Sequence, residues 1–226
     1  MIENNKFNKV LTVLLIIIVV ALIVAAGFWG FDIFQKYYIN KNANEAVDEF
    51  DKKIDELNNT DLEVVNDTEN SNEENTTSNS SKKKSSTSTK KATMKYKGYD
   101  VIGKIEIPKT KVSYPVLAQA SVSSMKVSVG VVYGPGLNEI GNTVLMGHNY
   151  RNGALFSNNK KLSNGDSIFI TDMTGRRLEY KIYNIYITSS TDFDYAVRNT
   201  AGKREISLAS CTDDSKSRLI IWAKEK

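Results

Sequence analysis

The 226-residue chain contains one cysteine and one histidine, and both stand where a strand would end. Cys211 closes the stretch Ser207-Leu208-Ala209-Ser210-Cys211. If residues 205–211 form a strand, its period of two puts Cys211 on one face with Ser207 and Ala209, and Ile206 and Leu208 on the other. Small neighbours leave a thiol room for a reaction partner. A lone cysteine is most often a small buried hydrophobe, so the argument for chemistry needs a second group. His148 supplies it, 63 residues upstream, after Thr143-Val144-Leu145-Met146-Gly147. Acyl transfer needs a thiolate and a group that protonates a leaving amine, and a Cys-His pair provides both. A zinc site needs three or four ligands, and the chain has no second Cys or His, so neither metal nor cofactor is expected. Arg218 heads the apolar run Leu219-Ile220-Ile221-Trp222-Ala223, on the face of Ile220 and Trp222. An arginine there is costly to bury without an anionic partner. Two roles fit: stabilising an oxyanion or orienting a substrate carbonyl, or a rim salt bridge with Asp213 or Asp214.

The elements that must carry these residues divide the chain unevenly. Residues 10–31 hold no charge and are long enough to cross a hydrocarbon core of about 30 Å. Lys6 and Lys9 precede them, and Phe28, Trp29 and Phe31 close them as an interfacial belt. This pattern predicts a single-pass anchor with residues 1–9 cytoplasmic and the remainder outside. A cleaved signal peptide is the alternative, but the apolar run exceeds the usual length of about 7–15 residues. Residues 32–57 read as a juxtamembrane helix with a stripe of Ala43, Ala46, Phe50, Ile54 and Leu57, too short for a firm coiled coil and expected to be a solvated stalk. Residues 58–93, rich in Asn, Ser, Thr, Lys, Glu and Asp and free of aromatics, read as a disordered, flexible linker. Much of the net charge of +4 comes from its lysines, and no basic stripe interleaved with aromatics argues for nucleic acid. A single cysteine excludes an internal disulfide, and an exported free thiol is a liability unless it has work to do.

Residues 94–226 then form one folded domain of common size. Eight short β-rich runs are predicted, at 101–107, 112–116, 130–133, 143–148, 167–172, 178–188, 205–210 and 218–224, with a hairpin loop at 172–175 and brief helical signals at 121–128 and 154–162. Without long helices between strands, a closed or nearly closed, mainly antiparallel barrel is favoured over βαβ units.

Several segments together resemble the sortase family: Gly103-Lys-Ile-Glu-Ile-Pro108, Tyr114-Pro115-Val116-Leu117, Asn142-Thr-Val-Leu-Met-Gly-His148-Asn149, Ser207-Leu-Ala-Ser-Cys211 and Arg218-Leu-Ile-Ile. The resemblance spans about residues 99–224. It implies a mainly β, eight-stranded sortase-type barrel with short helices, displayed outside a Gram-positive cell membrane. It also implies Cys211 as nucleophile, His148 as general acid/base and Arg218 as the oxyanion or substrate-orienting group. Where the family usually has Thr-Leu-x-Thr-Cys, both threonines are serines here, keeping the hydroxyl and losing the methyl. Asn138, Glu139, Asp192 and Asp194 do not form a convincing calcium site.

The expected function is cleavage of the C-terminal sorting signal of a secreted protein through a thioester. The acyl group would pass to an amine of a peptidoglycan precursor or of a pilin. Ser207, Ala209 and Ser210 are expected to line the peptide's path, and residues 189–203, with Phe193, Tyr195 and Val197, to form a substrate wall or a plain connection. The alternatives are a membrane-anchored hydrolase using water and a non-enzymatic wall-binding β-domain.

Overall fold

The computed structural model of the chain describes residues 3–66 and 93–226. One helix, α1 (Glu3–Asn66), is followed by nine strands: β1 (Met94–Tyr96), β2 (Tyr99–Ile107), β3 (Val112–Leu117), β4 (Val129–Tyr133), β5 (Gly141–Met146), β6 (Ser167–Asp172), β7 (Arg177–Ser189), β8 (Arg204–Cys211) and β9 (Ser217–Glu225). Short 3-10 turns at Ser124–Lys126 and Asn159–Lys161 stand where the two brief helices were expected, and a third lies at Pro108–Thr110.

The strands run β2-β3-β4-β5-β8-β9-β7-β6, and β6 pairs back onto β2, so eight of them close into the barrel. β3–β4 and β5–β8 are parallel and the other neighbours antiparallel. Closure draws β2 and β6 so near that a Cβ on Gly103 would lie 2.3 Å from the Thr171 carbonyl, a contact only glycine permits. The eight predicted strands correspond to β2–β9. The ninth, β1, was not expected: it is three residues long and folds back through Lys97 and Gly98, both at positive φ, as a two-residue hairpin turn requires.

Alternation along each strand divides the side chains. Ile105, Ile107, Leu145, Ile168, Ile170, Ile206, Leu208 and Ile221 fill the interior. On the outer side Val144, Ala209 and Ile220 form a second cluster with Tyr195 and Ala196, residues of the segment between β7 and β8.

α1 departs from expectation. It continues past residue 57 to Asn66, and its stripe is not solvated: Ala43 and Phe50 are fully buried, and Ile39, Ala46, Val47 and Ile54 nearly so. Ala46, Phe50 and Ile54 pack with Met94, Tyr96, Val101, Leu117 and Met173 of the barrel. Polar contacts fix the register. Lys104, only 10 % exposed, pairs with Asp51 at 2.7 Å, and Tyr114 donates to Asn40 while its oxygen accepts from the Leu155 N–H. Lys53 reaches the Thr93 carbonyl, so the chain enters β1 beside α1. Most of the linker assigned to residues 58–93 lies outside the described residues; from 58 to 66 the chain is helical.

Candidate active site

Three neighbouring strands come together at one end, and each has a residue singled out above within two residues of that end. β5 and β8 are parallel and in register from Gly141 opposite Arg204 to Met146 opposite Ala209. The ladder runs one bond further, from the Gly147 N–H to the Ala209 carbonyl at 3.2 Å. Two residues beyond Met146 is His148 and two beyond Ala209 is Cys211, so the pair stands level at the ends of adjacent strands. β8 and β9 are antiparallel, and Cys211 lies directly opposite Arg218, a position where neighbouring Cβ atoms are about 4.5–5.5 Å apart.

Cys211 and Arg218 belong to the outward face, and His148 follows the outward positions of β5. Val144 and Met146 precede His148 at two-residue spacing, Ala209 precedes Cys211, and Ile220 and Trp222 follow Arg218; these five pack in or against the outer cluster. The parity predicted for Cys211 and Arg218 is therefore the parity of the folded strands. Cys211 is a free, partly exposed cysteine.

Loop contacts hold the ends in place. Asn149 donates to the Cys211 carbonyl and to the Asp213 carboxylate, both at 3.0 Å, tying the residue after His148 to the end of β8. The Thr212 N–H bonds the Ser217 carbonyl at 3.0 Å, closing the tight return to Arg218. Neither acid considered as a partner for Arg218 is given to it: Asp213 pairs with Lys160 and Asp214 closes its own loop onto Thr212 and the Lys216 N–H. Arg218 Nε instead donates to the Ser190 carbonyl, 3.2 Å away, at the start of the β7–β8 segment. His148 is half-buried with its ring 5.2 Å from that of Tyr150. Burial, followed by the charge of Lys126, holds its imidazole below the usual value.

The proposed peptide-facing residues are placed differently from expectation. Ser207 and Ala209 are fully buried. The strand period puts them on the face of Cys211, but residues of the β7–β8 segment cover them, a long-range contact that a period of two cannot disclose. Ser207 donates to Asn142 at 3.0 Å and accepts from Arg198 at 2.7 Å. Tyr195, only 1 % exposed, is packing beneath the segment rather than its surface; Phe193, stacked on it at 6.0 Å, and Val197 carry the exposure. Ser210, on the opposite face, lines a cavity of about 180 Å³ with Cys211, Thr212, Asn149, Phe156 and Leu219; His148 and Arg218 are not part of that lining.

Sequence reasoning missed Arg198 and Asn142. Arg198 pairs with Glu205 at 2.6 Å, both nearly buried, and lies 4.5 Å over the Trp222 ring. Asn142 donates to the Tyr195 and Ala196 carbonyls. Together they clamp the β7–β8 segment onto the strands that carry the site. Asn138 is buried and donates to Asp172, while Asp192 accepts from Thr188 and the Asp194 N–H. Among the described residues no group of three His, Cys, Asp or Glu side chains is placed to hold a metal.

A family model described as "Sortase domain" matches residues 105–226. Sortase A of Bacillus anthracis is 30 % identical over 124 residues, and the match covers 54 % of this chain and 58 % of that protein, less than two thirds of its length. Among solved structures, sortase A from Corynebacterium diphtheriae superposes with a TM-score of 0.52 at 25 % identity, covering 57 % of this chain and 61 % of that one. Sortase C1 from Streptococcus suis does so with a TM-score of 0.51 at 28 % identity, covering 56 % and 73 %.

Proposed function

The chain belongs to the sortase family, and from that premise we propose that it is a membrane-anchored cysteine transpeptidase. The observation that carries this reading is that Cys211 stands opposite Arg218 on β8 and β9 while His148 follows the end of β5, the strand paired with β8. Residues 94–226 are the catalytic domain and residues 10–31 its membrane anchor, with residues 1–9 on the cytoplasmic side and the barrel outside.

In the first half-reaction the Cys211 thiolate attacks a backbone carbonyl of a C-terminal sorting signal, forming a C–S bond. Arg218 and nearby backbone N–H groups take the charge that develops on oxygen. As the C–N bond breaks, His148, carrying the proton it took from the thiol, gives that proton to the departing amine, leaving a thioester. In the second, an amine of a peptidoglycan precursor or a pilin lysine attacks the thioester, returns a proton to His148, and expels the thiolate. The substrate peptide runs over the outer face beside Phe193 and Val197, while Ser207, Ala209 and Tyr195 support that surface from beneath and Ser210 borders the cavity at the thiol.

The test is peptide cleavage with and without an added amine. Cys211→Ala is expected to lose at least about a thousandfold in rate and to form no acyl-enzyme by mass spectrometry. Full activity in that variant would sink the proposal. Cleavage indifferent to amine would assign the chain to the hydrolases instead.

A further inference from the structure

Because α1 runs unbroken from its apolar half into the part that docks on the barrel, the side of the barrel met first by α1 is the side nearest the membrane. That side is the loop after β5. Asn152 donates to Gln35 at 3.3 Å and to the Asp32 carbonyl at 3.5 Å, and Lys36 Nζ lies against Gly153, 3.0 Å from where a Cβ would be. Gln35 is four residues beyond Phe31, or about 6 Å along the helix. The headgroup layer of a bilayer is of similar depth, the hydrocarbon core being about 30 Å thick and the whole about 40–45 Å.

Between the two elements is a concavity of about 560 Å³ lined by Trp29, Asp32, Ile33, Lys36, Tyr150 and Arg151, with Asn152 at its edge. Its chemistry is interfacial: a highly exposed indole and an isoleucine at its lower margin, two cations above them, and one carboxylate. Arg151 donates to Ser215 at 2.6 Å and so keeps donors for another acceptor. Tyr150 links this surface to His148.

We propose that this concavity is a headgroup site for anionic phospholipid of the bilayer that α1 crosses, holding the loops after β5 and β8 at the membrane surface. The proposal rests on residues 10–31 spanning the membrane, and not on the transpeptidase reading. It places Cys211 where a peptide still held in the membrane by its own C-terminal end can reach it.

The experiment uses the full chain in phosphatidylglycerol nanodiscs, in a Cys211→Ala background, with a fluorophore on Lys216→Cys or on Thr174→Cys. Lys216 lies in the β8–β9 loop beside Ser215, and Thr174 beside Gly175, which meets Ile54. Ile54 is 18 residues beyond Lys36 on α1, about 27 Å along the helix. Headgroup-spin-labelled lipid is expected to quench the Lys216 position at least about threefold more than the Thr174 position. Equal quenching, or failure of the chain to enter the discs, overturns the proposal. Lys36→Glu with Arg151→Glu should reduce quenching at the Lys216 position by about half or more at an unchanged thermal melt. If that pair does not fold, Lys36→Gln with Arg151→Gln takes its place. Undiminished quenching in a folded double variant rules out the headgroup site.

Discussion

Burial and the Lys126 charge both favour the neutral form of His148, so the folded protein gives up this proton at lower pH than the unfolded chain does. The resulting contribution to stability is complete above about pH 6.5, the ordinary histidine value, and is lost as pH falls through the lowered native value. Lys126→Gln removes the second cause and should move the His148 titration upward in an NMR experiment; an unchanged or lowered midpoint would show that Lys126 does not act on the ring. The candidate residues stood out in the sequence because the chain is so poor in alternatives. With one cysteine and one histidine, each limits the role of the other, and strand parity alone placed Cys211 and Arg218 on the correct faces. Parity could not say what lies over a face. Ser207 and Ala209 share the side of Cys211 and are nonetheless buried, because Arg198, Tyr195 and Ala196 arrive from another part of the chain.

At the level of elements, the β7–β8 segment is held to the barrel by buried polar groups as well as by the apolar cluster around Tyr195. Arg198 and Glu205 are 13 % and 10 % exposed at the side chain, and Tyr183 also donates to Glu205. Removing one member of a buried pair strands the other, so Arg198→Met should cost about 3 kcal/mol in urea unfolding. It should also loosen residues 190–203, seen as faster amide exchange there; a loss under about 1 kcal/mol would mean Glu205 finds another partner. On α1, Phe50→Ala removes a fully buried ring and should cost about 3 kcal/mol of docking. Exchange protection should fall over residues 39–57 while β8 keeps its own; equal loss in both would make α1 part of the barrel's folding unit. Eight strands were readable from alternation and turn residues. β1 was too short to show a period, and docking of α1 was hidden because its apolar stripe is equally consistent with a solvated stalk. The deciding surface, Met94, Tyr96, Val101, Leu117 and Met173, is assembled from four separate stretches.

For the molecule as a whole, the docked helix changes how the barrel is held. A long linker after a membrane anchor suggests a domain swinging on a tether, but here the helix that leaves the apolar segment is itself clamped to the barrel, through Lys104–Asp51, Tyr114–Asn40 and the stripe around Phe50. A protease site placed within residues 67–92 tests this directly. After cleavage of the detergent-solubilised chain, the α1 fragment and the barrel fragment should co-elute in gel filtration, and separation would show that covalent connection alone keeps them together. The pairing of β5 with β8 and of β8 with β9 has a consequence of another kind. Cys211 is the last outward position of β8 and Arg218 the first of β9, while His148 follows the end of β5 by two residues. The placing of Cys211 and Arg218 is therefore set by ladder hydrogen bonds, while the surface around them is supplied by the connections 147–166, 190–203 and 212–216. A barrel built this way can change what its loops present and leave the placing of Cys211 and Arg218 untouched.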